Sequence, residues 1–155
     1  MSLLLEVQFL NEKTDSNTSS NGICISTKCD KNTNANIFSN IEKKYSIKIR
    51  DDVKKFLIKN SGGYPIKDII TSNGNEYEVR VFLSLDDANK YYNIEKPLSY
   101  FMKNTNKKMI PIGVDSGSNY YCIDNQTGKV YYWCADGDSY LPISSSLNQF
   151  ISLFN

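Results

Sequence analysis

The sequence predicts an α+β protein built on a central antiparallel sheet flanked by helices. Three observations lead there. Amphipathic helical spacing is confined to short segments near residues 35–60, 85–104 and 147–154. Strand-like runs cluster between them, joined by turn signals too short to hold crossover helices. The order is therefore helices, antiparallel strands, helix, more antiparallel strands, helix, and not the regular alternation of a parallel sheet. At 155 residues, the chain is long enough to bury one ordinary core without disulfides or metal.

Leu3, Leu5, Val7 and Phe9 alternate with Leu4, Glu6, Gln8 and Leu10, the pattern of a strand. Residues 11–34 are dominated by Asn, Ser, Thr, Lys and Asp, with Gly22–Thr27 (GICIST) as a strand-like island. Such a composition predicts a flexible polar arm. The chain thus divides into an N-terminal strand and arm at 1–34 and a compact domain at 35–155.

Within that domain Ile37, Phe38, Ile41 and Tyr45 share one helical face. Asp51 or Asp52 is placed to cap a second helix that buries Val53, Phe56 and Leu57. Asn60-Ser61-Gly62-Gly63 ends it, with a glycine free to turn left-handed. KDIIT and EYEVRVFL flank Asn73-Gly74, a hairpin in which Tyr77, Val79, Val81 and Leu83 point one way. Residues 85–104 read as helical, Pro97 being tolerable in a first turn. MIPIGV, NYYCID and KVYYWCA are strands, and a Ser-rich cap leads into a last helix carrying Leu147, Phe150, Ile151 and Phe154.

Composition narrows the chemistry. Lys and Arg total 18 against 17 Asp and Glu, so no global field draws the chain to nucleic acid or a membrane. There is no histidine, which removes the commonest general base and metal ligand together. The start, MSLLLEVQFLNEK, lacks a basic n-region and an unbroken apolar run, so no secretory signal is expected. Four cysteines in that context read as reduced thiols of a cytoplasmic protein.

No catalytic, cofactor or metal constellation emerges. Asp115-Ser116-Gly117 after an apolar strand matches the way aspartic peptidases present a carboxylate, but a homodimer would have to supply the second one. A strand ending in a tight turn is the simpler reading. Neither Cys24-x4-Cys29 nor Cys122-x11-Cys134 has zinc-ligand spacing, and buried thiols are the simpler reading. Asp136-Gly137-Asp138 lacks the ligand ladder of a calcium loop and reads as a turn.

One stretch differs in kind. Residues 110–140 hold five of the eleven tyrosines, the only tryptophan and four aspartates, with Lys129 as the sole basic residue. Both faces of each strand there carry rings, so those not claimed by the core would form an aromatic-acidic recognition patch. Its candidate residues are Asp115, Tyr121, Asp124, Tyr131, Trp133, Asp136, Asp138 and Tyr140.

The pattern D-x-x-K-x-F-L-x-x-N-x-G-G at 51–63, IPIGVDSGSNYYCIDNQTGKVYYW at 110–133 and SLNQFISLF at 146–154 resembles the SUKH superfamily, the Smi/Knr-like domain named after yeast cell-wall regulators. The resemblance covers about residues 35–154 and implies an α+β fold with a central antiparallel sheet. It implies a non-catalytic binding protein, with bacterial members acting as immunity proteins against polymorphic, contact-dependent toxins that are commonly nucleases. A basic toxin is the expected partner, with no direct nucleic-acid or membrane contact, in a monomer or weak homodimer. A regulatory scaffold like the fungal members is the alternative, and a dimeric peptidase through Asp115 a further one.

Overall fold

The computed structural model describes residues 25, 26, 28–30 and 36–155. The expected strand at 3–10 lies outside them. Five antiparallel strands form the main sheet in the order β3-β4-β5-β6-β7: Val81–Phe82, Met109–Val114, Tyr120–Asp124, Val130–Cys134 and Ser139–Ser144. A separate hairpin pairs β1 (Ile69–Ser72) with β2 (Asn75–Glu78). Four helices complete the fold: α1 (Ile37–Tyr45), α2 (Asp51–Asn60), α3 (Glu95–Asn104) and α4 (Leu147–Ser152). The predicted α+β class with a central antiparallel sheet is the one observed.

The main core occupies one face of the sheet. Val53, Phe56 and Leu57 of α2 and Phe150 of α4 meet Phe82, Tyr121, Ile123 and Val130 there. Phe56 meets Phe82 edge-on with ring centroids 5.2 Å apart, and Tyr121 lies 5.8 Å from Phe150. Rings at these separations add to the hydrophobic burial that holds helix to sheet. Ser146 caps α4, accepting from the Gln149 N–H at 3.1 Å, while Gln149 Oε1 accepts from the Ser145 N–H at 2.8 Å. For α2 the expected cap is corrected. Arg50 occupies the cap position, and Asp51 and Asp52 instead place their charge in the first turn, near the positive end of the helix.

The glycine pair after α2 has a use that its sequence context did not disclose. Gly62 turns left-handed at φ +69°, as expected for a helix stop. The Phe82 N–H then donates to the Gly63 carbonyl at 2.8 Å, so this segment covers the outer edge of β3. On its other side pass residues 25, 26 and 28–30. A side chain at Gly63 would collide with the Lys28 carbonyl, and one at Gly62 with the Asp30 carboxylate. Ile25 is buried in the core, Ser26 bonds Asn60 and pairs with Pro65, and Asp30 bonds the Ser61 and Ser84 hydroxyls. This part of the expected flexible arm is therefore packed against the domain.

The stretch Glu76–Leu83 is not one strand. Asn73 and Gly74 both have positive φ, 53° and 82°, which makes the tight hairpin turn. The Val79 N–H still donates to Asp68 (2.7 Å), but the next, Arg80, donates to Val114 (2.9 Å) and transfers the chain to the main sheet. Alternation fails there because Val81, Phe82 and Leu83 are all buried. Residues 85–93 form turns rather than the start of a helix, and only Glu95–Asn104 is helical.

Strand β7 was not expected. Only Ile143 within it is buried, so it carries almost no periodic signal of its own. Its pairing with β6 defines it, with a register shift that leaves Ile143 as the extra residue. The Pro142 carbonyl accepts from Asn73 Nδ2 (3.0 Å) and that of Ile143 from Ser72 Oγ (2.6 Å), so the tip of the β1–β2 hairpin seals this edge. In an extended strand N–H and C=O of one residue point the same way. Pro142 therefore lacks its donor on the free side of the sheet.

Candidate recognition surface

Alternation along β5 and β6 sorts the rings. Tyr121 and Tyr132 are paired across the strands, and both pack with the main core. Tyr120, Cys122, Tyr131 and Trp133 point the opposite way, joined by Tyr140 of β7, which pairs with Trp133. This second face is covered by Phe101 of α3, which has no exposed surface and sits 5.1 Å from Trp133 edge-on and 5.9 Å from Tyr120. The cover is incomplete. Tyr131 and Tyr140 remain half-buried with their rings 6.3 Å apart, and Tyr100 of α3 is 42% exposed beside Trp133.

Tyr121 is not available to a partner. It has no exposed surface, and its hydroxyl donates to the Glu78 carbonyl at 2.5 Å. Trp133 is 8% exposed and donates its indole N–H to Asp138 Oδ1 at 2.6 Å. Both are claimed by packing because they lie in interior strands of a sheet covered on both faces. A hairpin at the sheet edge would have left one side free.

Two of the four aspartates build turns with their side chains. Asp115 Oδ1 accepts from the N–H groups of Gly117 (2.9 Å) and Asn119 (2.8 Å), and Oδ2 accepts from the Tyr132 hydroxyl (2.6 Å) and Asn119 Nδ2 (3.1 Å). These bonds close the Asp115–Asn119 turn and tie it to β6, as the turn reading of Asp115-Ser116-Gly117 expects. Asp124 is 3% exposed. Burial opposes its ionisation, yet the Gln126 and Thr127 N–H groups and Lys108 Nζ, 3.5 Å away, hold its carboxyl below the usual range. The turn it closes needs Gly128 at φ +82°, where a side chain would meet the Arg50 guanidinium at 2.9 Å. Asp138 is exposed but engaged by Trp133, while Asp136 is exposed with its carboxylate unengaged among the described residues.

The candidate residues therefore divide by exposure. Tyr131 and Tyr140 keep part of their surface exposed and Asp136 and Asp138 are exposed at the β6–β7 turn, whereas Tyr121, Asp124 and Trp133 are buried and Asp115 is bonded within its own turn and to Tyr132. Burial raises the Tyr140 hydroxyl well above the ordinary tyrosine range, helped by the neighbouring Cys122, Asp138 and Tyr100. Sequence reasoning missed Tyr100, because helical spacing alone did not say which side of α3 faces the sheet. Of the cysteines, Cys122 is buried, with its thiol pushed up by that burial, whereas Cys29 and Cys134 are half-buried and Cys24 lies outside the described residues. Among the described residues no three acidic or cysteine side chains gather as a metal site, and no helix is long and apolar enough to cross a membrane.

The chain matches the SMI1 / KNR4 family (SUKH-1) over residues 31–153. It belongs to that family. A search of curated proteins found no match. The family is compatible with immunity and with regulatory roles, both of which act through protein partners.

Proposed function

We propose that this chain is a non-catalytic, cytoplasmic immunity protein of a bacterial polymorphic toxin system, binding a basic, nuclease-like toxin domain one-to-one. The observation that carries the reading is the incompletely covered second face of the sheet. There Tyr131 and Tyr140 stand half in water next to Asp136 and Asp138. Half-buried tyrosines give rigid contact area, and the aspartates suit a cleft made for phosphate. The absence of histidine from the sequence is in keeping with binding rather than proton transfer.

The test is co-expression with the polypeptide encoded beside this gene, scored by survival and co-purification. Asp136→Lys is expected to weaken the complex by ~10-fold or more while the fold melts unchanged. Rescue with an unaffected Asp136→Lys variant would remove the patch but keep immunity. A harmless neighbour and no complex would favour the regulatory scaffold.

A further inference from the structure

Two asparagines in the sequence stand directly before glycine, Asn21 and Asn73, and the second lies among the described residues. Asparagine is thermolabile, and most so in that pair. A glycine nitrogen has no side chain beside it, so it can approach the amide of the preceding residue and close a five-membered ring. A fold allows or forbids this through access to the nitrogen and through whatever holds the amide.

Both conditions favour reaction at Asn73-Gly74. The two residues are the exposed tip of the β1–β2 hairpin, and a side chain at Gly74 would meet nothing within 4 Å. The Gly74 N–H donates to no group among the described residues, since Ser72 and Asn75 make the pair that closes the turn. One exposed bond restrains the carboxamide, from Asn73 Nδ2 to the Pro142 carbonyl at 3.0 Å. Asn125, also in a hairpin turn, differs on each count. Gln126 follows it, and both its amide atoms are tied, Oδ1 to the Arg50 N–H and Nδ2 to the Lys48 carbonyl.

We propose that Asn73 is a site of spontaneous deamidation, and that its conversion unfastens the β1–β2 hairpin from β7. The Gly74 nitrogen loses its proton to solvent and bonds to Asn73 Cγ. The Cγ–Nδ2 bond breaks, the side-chain nitrogen leaves as ammonia, and a succinimide remains. Water then opens the ring at either carbonyl, giving Asp at 73 or an isoaspartyl link with one more backbone carbon. Nothing is oxidised or reduced. Either product has a carboxylate where the donor was, so the Pro142 carbonyl faces another acceptor and that bond is lost. The longer isoaspartyl backbone also no longer fits a two-residue turn. None of this depends on the immunity reading.

The experiment incubates the purified chain beside a synthetic peptide of residues 68–80 at mildly alkaline pH. Trypsin, cutting after Lys67 and Arg80, releases the same peptide from the protein, and fragment masses read the acid formed at Asn73. The native chain is expected to convert within ~100-fold of the peptide rate, because one exposed hydrogen bond can withhold no more than that. Slower conversion would overturn the site. Asn73→Gly, which suits the same turn, should show no conversion there. The aged chain and Asn73→Asp should both lose ~2–4 °C in Tm and exchange the amides of Ile69–Glu78 faster. Conversion that leaves Tm and exchange unchanged would overturn the unfastening.

Discussion

On one face of the sheet, Tyr121 has no exposed surface and its hydroxyl ends on a backbone carbonyl. On the other, Tyr140 and Tyr131 lean on each other at the rim of a smaller cluster built around Phe101 and Trp133. These rings come from the adjacent strands β5, β6 and β7, and alternation sends them to opposite faces. The first face is closed by two helices and a hairpin, while the second is closed by one helix that leaves the β6–β7 end uncovered. Ring density therefore says little about binding until the cover over each face is known.

That contrast has measurable edges. Tyr121→Ala should cost about 3–5 kcal/mol in denaturant unfolding, from the lost burial and the orphaned Glu78 carbonyl. Tyr131→Ala and Tyr140→Ala should each cost only ~1 kcal/mol. Equal losses from all three would mean the second face is as complete as the first.

Alkaline pH probes both faces together. Burial raises the hydroxyls of Tyr121, Tyr132 and Tyr140, and Asp115 adds to the effect at Tyr132. A folded value above the unfolded one, about 10, contributes stability that is whole below pH ~10 and is lost as pH rises beyond it. Spectrophotometric titration should find that Tyr120, Tyr121, Tyr132 and Tyr140 ionise at higher pH than a free phenol until the fold melts. A single midpoint near 10 for all of them would contradict the packing described.

The smallest effect belongs to the bond that joins the second face to its turn. Asp138→Asn keeps an acceptor for the Trp133 indole but weakens it, so stability should drop by less than ~1 kcal/mol. The emission of the only tryptophan should change nonetheless. Unaltered emission would mean that the Asp138 carboxylate does not hold the indole.

Much of this architecture could be read from local signals. The stop after α2, the Asn73-Gly74 turn and the strands β4 to β6 are written in glycine placement and apolar runs. The misreadings have a common cause, which is that partners distant in sequence decided the outcome. Strand β7 exists through β6, the break at Val79–Arg80 through Val114, and the packing of residues 25, 26 and 28–30 through the glycine pair. The same holds for the site. Charge counting could not reveal that Asp115 and Asp124 bind backbone N–H groups.

The seal on β7 also bears on how the molecule comes together. Its two bonds join residues about seventy positions apart, Ser72 to Ile143 and Asn73 to Pro142. Closing a loop of that length costs entropy that a local contact does not. Until the hairpin docks, β7 is a bare margin against which another newly made chain could line up and start to aggregate. Pro142 needs no docking to act, because it lacks a donor from the moment of synthesis. It therefore guards the growing sheet against self-association during the interval when the hairpin cannot.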